Sequence, residues 1–226
     1  LESQTHGWPA TYLYFSWLLR DGYLRGQARA DLEARPRSVG VLSLLTFDPS
    51  IGVKSVSELP RYHYYGDSEV LISRSGWTEN DTHLLFKAGP PVPRSMVASG
   101  YSVASYEGHT HPDCGNLLIF SHGDWVATED AYVVPKWTET HNTILIDGKG
   151  QFQDGASWLS AFDMRASGTG ILDQLHTDTL TYAVGDIGAA YPQGIDRMHR
   201  HVLHLLPDLI IVADDIEDGE PHSYSW

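Results

Sequence analysis

The sequence changes its residue pattern at Pro60, and this change constrains the fold more than any other feature. After Pro60, short runs rich in β-branched and aromatic residues alternate with turns that contain Gly, Asp or Asn, which is typical of an all-β sandwich. The last two runs flank Pro207-Asp208 and predict a β-hairpin, and Asp214-Asp215 predicts a turn after it. The predicted strands lie near residues 61–65, 69–74, 82–87, 116–121, 124–129, 142–146, 170–175, 179–184, 198–206 and 208–214.

Residues 1–60 favour helices instead. Tyr12, Phe15 and Leu19 recur at helical spacing, and the residues after them continue with good helix formers. We therefore expect a mainly β protein, in which a large antiparallel β-sandwich over residues 61–226 follows a helical part. The predicted helical segments are 9–20, 23–34 and 38–47.

The net charge of −14 argues against a nucleic-acid-binding protein, because phosphates need a basic face. Residues 1–60 contain six basic and six acidic residues, so residues 61–226 carry the whole excess of acid. This acidity repels an anionic polysaccharide over long range, so such a substrate needs a local cationic or metal-bearing cleft. The single cysteine, Cys114, excludes an internal disulfide, and no apolar run approaches the roughly 20 residues that cross a bilayer.

A histidine pair ends the long loop that spans residues 89–115. His109 and His111 stand at i and i+2, and on an extended chain they project to the same side, roughly 7 Å apart. One can bind a metal while the other stands free beside it. Downstream, Asp130 ends one predicted strand and His141 begins another, and two imidazoles with a carboxylate suit Zn²⁺ or Mn²⁺.

The spacing alone leaves other interpretations open. With 12 histidines in the chain, surface or hydrogen-bonded core histidines explain the same pattern equally well. His122, Asp113 and Cys114 are rival ligands. A cupin-like metal oxidase or isomerase also begins with an HxH pair, but that motif needs a Glu about five residues after the second His, where this chain has Asn116.

A series of motifs runs in a fixed order through about residues 70–215. The motifs are Val70-Leu71-Ile72-Ser73-Arg74-Ser75-Gly76-Trp77, Leu84-Leu85-Phe86-Lys87-Ala88-Gly89, Gly108-His109-Thr110-His111-Pro112-Asp113, Gly123-Asp124-Trp125, Asp130-Ala131-Tyr132, His141-Asn142-Thr143-Ile144-Leu145-Ile146-Asp147-Gly148 and the closing hairpin. Together they resemble the heparinase II/III-like family of polysaccharide lyases, and the ordered series is more specific than any single motif.

The resemblance implies how the chain is organised and which residues form its site. Residues 1–60 would be the last helices of an α/α toroid, and residues 61–226 the β-sandwich, which we expect to continue beyond the last residue. The implied metal ligands are His111, Asp130 and His141, with Zn²⁺ or Mn²⁺ as the divalent cation. The implied catalytic residue is His109, which would face the substrate cleft.

The resemblance also implies a function. It predicts part of a secreted or periplasmic polysaccharide lyase that cleaves a uronic-acid-containing polysaccharide, such as a glycosaminoglycan or alginate, by β-elimination. The main catalytic Tyr is expected in a missing N-terminal toroid, so the 226-residue chain alone should have little activity. A uronyl C5-epimerase of the same fold and a non-catalytic carbohydrate-binding sandwich stay open as alternatives.

Overall fold

A computed structural model describes five stretches of the chain: residues 9–34, 40–99, 110–129, 134–157 and 168–226. It divides the chain into two compact units, Leu1–Pro60 and Arg61–Trp226. The first unit contains helices and the second contains strands.

The helices of the first unit are α1 (Pro9–Leu19), α2 (Gly22–Ala34) and α3 (Val41–Leu45). The side chain of Asp21 accepts hydrogen bonds from the backbone N–H groups of Tyr23 and Leu24, which begins α2 directly after α1. The predictions for α1 and α2 are confirmed, whereas the apolar segment predicted at 38–47 is helical over five residues of its described part. None of the described helices is long and apolar enough to cross a bilayer.

The described residues of the second unit form three antiparallel sheets. The five-stranded sheet has the order β1 (Tyr62–Tyr65), β2 (Val70–Arg74), β3 (His83–Lys87), β4 (Leu117–Ser121) and β5 (Asp124–Ala127), and a short helix, α4 (Arg94–Ala98), follows β3 in the chain. The two-stranded sheet pairs β6 (Leu145–Ile146) with β11 (Tyr224–Ser225). The four-stranded sheet has the order β10 (Leu209–Glu217), β9 (Arg197–Leu205), β8 (Leu180–Asp186) and β7 (Gly170–His176).

The two larger sheets share one hydrophobic core, which makes the unit a β-sandwich. Alternate residues of β2, β3 and β9 are buried, as the sequence pattern predicts. The sheets approach closely at Gly185, where an added Cβ would lie 2.5 Å from the Cβ of Ala88. The Ser73 hydroxyl also bonds Thr181 Oγ1 at 2.9 Å and His204 Nδ1 at 3.0 Å, which joins the sheets through polar groups. The core side chains come from both sheets and include Leu71, Leu84, Phe86, Leu117, Ala183, Met198 and Val202.

Two details differ from the sequence prediction. The strand predicted at 142–146 is reduced to β6, because distant side chains bond the backbone before it: Tyr191 donates to the carbonyl of Ile144, and Arg200 to that of Asn142. The predicted turn at Asp214-Asp215 is wrong, since both residues lie within β10 and pair with β9.

Candidate metal centre

His111 and His141 come together although 30 positions separate them in the chain. His111 lies in the loop before β4, and His141 follows a 3₁₀ turn at Thr138–Thr140. His111 Nδ1 is 3.1 Å from His141 Nε2, and the two ring planes stand at 74° to each other. The rings therefore meet through their nitrogens and not through their faces.

Glu129 sets the tautomer of His141. Its Oε2 lies 2.6 Å from His141 Nδ1, and a carboxylate can only accept a hydrogen bond there, so Nδ1 carries the proton. The Nε2 atom, which faces His111, is then left with its lone pair. A carboxylate behind a metal-binding imidazole is the usual arrangement that orients the ring and raises its basicity.

Two asparagines fix this pair to the sheet. The side-chain amide of Asn116 donates to Glu129 Oε2 at 2.8 Å, and its oxygen accepts from the backbone N–H of Asn142 at 2.9 Å. Asn142 in turn donates to the carbonyls of Leu117 and Thr128, each at 2.9 Å. The segments that carry His141 and Glu129 are thus tied together directly behind the imidazole.

The electrostatic environment keeps Glu129 charged and His111 neutral. The hydrogen bond from His141 lowers the pKa of the Glu129 carboxyl, and the Asn116 amide adds to this effect. Burial lowers the pKa of His111, and the neighbouring His141 acts in the same direction. A neutral imidazole is the form that binds a metal ion.

A small pocket of about 20 Å³ opens beside His111. Lys136 lines it together with His111, and the lysine is almost fully buried, at 2% exposure. Burial lowers the pKa of its ammonium group. The pocket thus places a cationic side chain next to the histidine pair, in a unit whose bulk charge is negative.

The structure brings together two of the four site residues predicted from the sequence, His111 and His141. The other two, His109 and Asp130, lie outside the described residues, as does Tyr132. The three rival ligands point to other partners: His122 bonds Ser121 on an exposed turn, Asp113 pairs with Lys87, and the thiol of Cys114 is buried against the carbonyl of Ala88.

The two imidazoles fit a divalent cation by their chemistry and spacing. Two nitrogens bound to one tetrahedral Zn²⁺ at its usual bond length lie about 3.3 Å apart, close to the observed 3.1 Å. Among the residues that the structure describes, no three His, Cys, Asp or Glu side chains could hold a metal, since Glu129 contacts the far nitrogen of His141. A third protein ligand must come from elsewhere, and Asp130 directly follows Glu129 in the chain.

Sequence reasoning missed Glu129 and Lys136. Glu129 had a signal, because it stands next to the predicted ligand Asp130 and a metal-bound histidine commonly has a carboxylate behind it. Lys136 had none, because it follows Pro135 in an irregular stretch without periodicity.

Comparisons with known proteins agree with this fold. The family described as heparinase II/III-like, C-terminal, matches residues 66–226. A heparinase III, the BT4657 gene product, is 14% identical over 88% of the chain with a TM-score of 0.53. A mutant of the heparan sulfate lyase HepC from Pedobacter heparinus is 17% identical over 84% of the chain with a TM-score of 0.50. The chain spans 28% and 26% of these two structures, and at such identities the likeness shows the fold. Curated protein sequences gave no significant match.

Proposed function

Because the chain belongs to the heparinase II/III-like C-terminal family, we propose that it forms the β-sandwich part of a polysaccharide lyase acting on a uronic-acid-containing polysaccharide. The observation that carries the proposal is the pair of imidazole nitrogens from His111 and His141, which meet at 3.1 Å with Glu129 behind them. This arrangement supports a built metal site in the position where the family resemblance predicts one.

The reaction is a β-elimination at the uronate ring. A base takes the C5 proton, the electron pair of the C5–H bond forms the C4=C5 double bond, the C4–O bond breaks, and an acid protonates the leaving oxygen. The C5 proton is weakly acidic while the neighbouring carboxylate keeps its charge, so a cationic or hydrogen-bonding group must neutralise that carboxylate. We assign this assisting role, or a proton transfer, to His109, and the buried ammonium of Lys136 adds positive charge beside His111.

The proposed ligands are His111, Asp130 and His141, with Zn²⁺ or else Mn²⁺ as the cation. Bound there, the cation supplies a fixed charge that fastens three separated segments, and we assign it no direct contact with the substrate. His109 lies two residues before His111, so fastening His111 restricts where His109 can point. Glu129 holds His141 in the tautomer that leaves Nε2 available.

Further parts of the enzyme complete the proposal. We place the main catalytic Tyr in a helical toroid outside these 226 residues, of which residues 1–60 would be the end. A polysaccharide too large to enter a cell is met outside it, so we propose a secreted or periplasmic enzyme. Glycosaminoglycans and alginate both offer the uronate that the reaction needs.

The test combines metal analysis with a lyase assay. The protein that carries this chain together with its helical toroid is purified, its metal content is measured, and it is assayed on heparan sulfate, other glycosaminoglycans and alginate by the ultraviolet absorbance of the new double bond. We expect about one equivalent of divalent cation and activity on one of these polymers. His109→Ala should lower kcat/KM by about 100-fold or more, whereas His122→Ala, on an exposed turn, should match the wild type.

Each alternative gives a different outcome. A C5-epimerase would exchange the C5 proton for solvent deuterium without shortening the polymer. A carbohydrate-binding sandwich would bind polymer without changing it, with no copurifying metal and an unchanged rate in His109→Ala. Either result contradicts the lyase proposal.

A further inference from the structure

Arg200 is the largest fully buried side chain in the part of the chain that the structure describes. Its Nε and Nη2 donate to the two carboxylate oxygens of Asp214 at 2.7 and 2.9 Å, so the ion pair is bidentate. Its Nη1 donates to two backbone carbonyls, those of Gly115 at 2.8 Å and Asn142 at 2.9 Å. The guanidinium group therefore faces a carboxylate on one side and two loop carbonyls on the other.

The two carbonyls belong to the segments that support the histidine pair. Asn142 directly follows His141, and Gly115 lies between the loop that carries His111 and Asn116. Asn116 is the residue that donates to Glu129 behind His141. One fully buried cation thus connects the backbone on both sides of the site.

A purely stabilising role does not explain this arrangement well. Burying a charged group has a large desolvation penalty, and a buried ion pair commonly gives no more stability than packed apolar side chains of similar volume. An apolar pair on β9 and β10 would fill the same space but could not donate to either carbonyl. What the arginine adds is direction, because its planar group fixes the angle between Asp214 and the two carbonyls.

We propose that Arg200, oriented by Asp214, is a positioning residue of the metal centre, which holds His141 and its Glu129 hydrogen bond in place through the carbonyls of Asn142 and Gly115. The inference rests on the proposed function for the identity of the ligand. Its geometric part, the orientation of His141, does not depend on any metal being bound.

The first measurement is the affinity for Zn²⁺ and Mn²⁺ in Arg200→Lys, by competition with a chelator in the whole protein. Lysine has a single ammonium that cannot serve Asp214 and both carbonyls at once, so we expect metal binding about 10- to 100-fold weaker. Asp214→Asn keeps the guanidinium but removes its charged acceptor, and we expect a smaller loss of about threefold. Arg197→Lys is the matched control, because Arg197 joins the same two strands on the surface and should change the affinity less than twofold.

The second measurement is the NMR resonance of the His141 Nδ1 proton in metal-free protein. We expect a slowly exchanging signal in the wild type and in Arg197→Lys, and a lost or broadened signal in Arg200→Lys. Glu69→Gln, which breaks a different buried ion pair, controls for lost stability and should keep the signal.

The outcomes separate the two claims. If the wild type binds neither cation at millimolar concentration, the proposed metal function fails, and the His141 resonance still decides the role of Arg200. Wild-type affinity and a wild-type resonance in Arg200→Lys would overturn the positioning role. It would also be overturned if neither Arg200→Lys nor Asp214→Asn unfolded cooperatively, since Arg200 would then serve general stability.

Discussion

Two ion pairs between an arginine and a carboxylate, both within the described part of the sandwich, are built in opposite ways. In the pair Arg200–Asp214 the guanidinium is fully buried, while the Asp214 carboxylate is 23% exposed. In the pair Arg94–Glu69 the carboxylate is the buried partner, at 7% exposure, and the Arg94 side chain is 44% exposed. The guanidinium is therefore the buried group in one pair, and the carboxylate is the buried group in the other.

The difference decides what each pair can hold. A buried guanidinium donates hydrogen bonds, so Arg200 binds the carbonyls of Gly115 and Asn142 in the segments that support the histidines. A buried carboxylate accepts hydrogen bonds, so Glu69 accepts them from the hydroxyl of Tyr64, the guanidinium of Arg94 and the backbone N–H of Ile171. The Glu69 cluster thereby joins β1, α4 and β7, and these three bonds include none of the residues that support His141. We infer that one pair serves positioning and the other stability.

The largest effect on stability should come from Glu69→Gln. The substitution leaves Arg94 and Tyr64 next to a neutral group that cannot accept every bond, so we expect the free energy of unfolding to fall by about 3 kcal/mol. Urea denaturation measures this loss. Metal affinity should stay within twofold of the wild type.

The matched control for Glu69→Gln is Glu79→Gln on an exposed turn, which should change the free energy of unfolding by less than about 0.5 kcal/mol. A tenfold weaker metal affinity in Glu69→Gln would break the comparison, because the two ion pairs would then share one role.

Gly115→Ala should affect both stability and metal binding, because Gly115 lies in a crowded part of the core and its carbonyl accepts a hydrogen bond from Arg200. Its φ of +83° disfavours a side chain, and an added Cβ would meet Ile187 Cδ1 at 2.9 Å and Thr143 Oγ1 at 3.0 Å. We expect a loss of about 2 kcal/mol in the free energy of unfolding, together with weaker metal binding as the carbonyl shifts away from Arg200.

Gly123→Ala isolates the crowding at Gly115. Gly123 has nearly the same φ, +84°, but nothing lies within 4 Å of the added Cβ. It should lose only about 1 kcal/mol and keep its metal affinity. Equal losses in the two variants would show that backbone strain alone explains Gly115.

Most of the strand framework could be predicted because its signal is local. Alternating side chains mark β2 and β3, and the tight turn after β9 fixes the register of the closing hairpin. That register even places Arg200 opposite Asp214, so the turn contained a signal for the ion pair that the sequence interpretation did not use. Burial of the pair depends on the second sheet and has no local signal.

The segment around His141 shows the limit of local reasoning. Its apolar residues predict a strand at 142–146, yet its backbone is bonded by side chains that lie far away in the sequence. Because of those bonds, most of the predicted strand is irregular, and this segment holds His141 in place. The resemblance predicted that His111 and His141 meet. It did not predict the contact of Glu129 with His141, because the one signal, the position of Glu129 next to Asp130, does not say which histidine the carboxylate contacts.

Glu129→Gln should separate positioning from stability at the site itself. Glutamine can still accept from His141 Nδ1 but carries no charge, so we expect metal binding about tenfold weaker, equivalent to about 1.4 kcal/mol. The free energy of unfolding of the metal-free protein should change by less. Chelator competition and urea denaturation measure the two quantities on the same samples.

The control for Glu129→Gln is Glu139→Gln, an exposed carboxylate two residues before His141. It should leave both quantities near the wild type. If it weakens metal binding as much as Glu129→Gln does, the general negative charge of this segment matters and the hydrogen bond to His141 does not.

The smallest effect belongs to a third, partly exposed ionic group, in which His222 contacts Asp147 and Asp218. The hydrogen bond with Asp147 raises the pKa of His222, and hydrogen bonds from Ser223 and His222 lower the pKa of Asp147 to about 2. A histidine whose pKa is raised on folding stabilises the folded protein fully below about pH 6.5, the pKa of the unfolded state. This stabilisation is lost as the pH rises through the pKa of the folded state. A carboxyl group whose pKa is lowered on folding stabilises the folded protein fully above about pH 3.9, the pKa of the unfolded state. This stabilisation is lost as the pH falls through the pKa of the folded state.

The pair should therefore stabilise the β6–β11 contact most between about pH 4 and pH 6.5. We expect His222→Asn to lower the urea midpoint at pH 5.5 and to differ progressively less from the wild type as the pH rises to 8. His63→Asn, at an exposed position on β1, is the control and should show no such convergence. A difference that grows with pH would mean that neutral His222 makes the stronger contact. The contribution of His222 to stability would then come from packing and not from its charge.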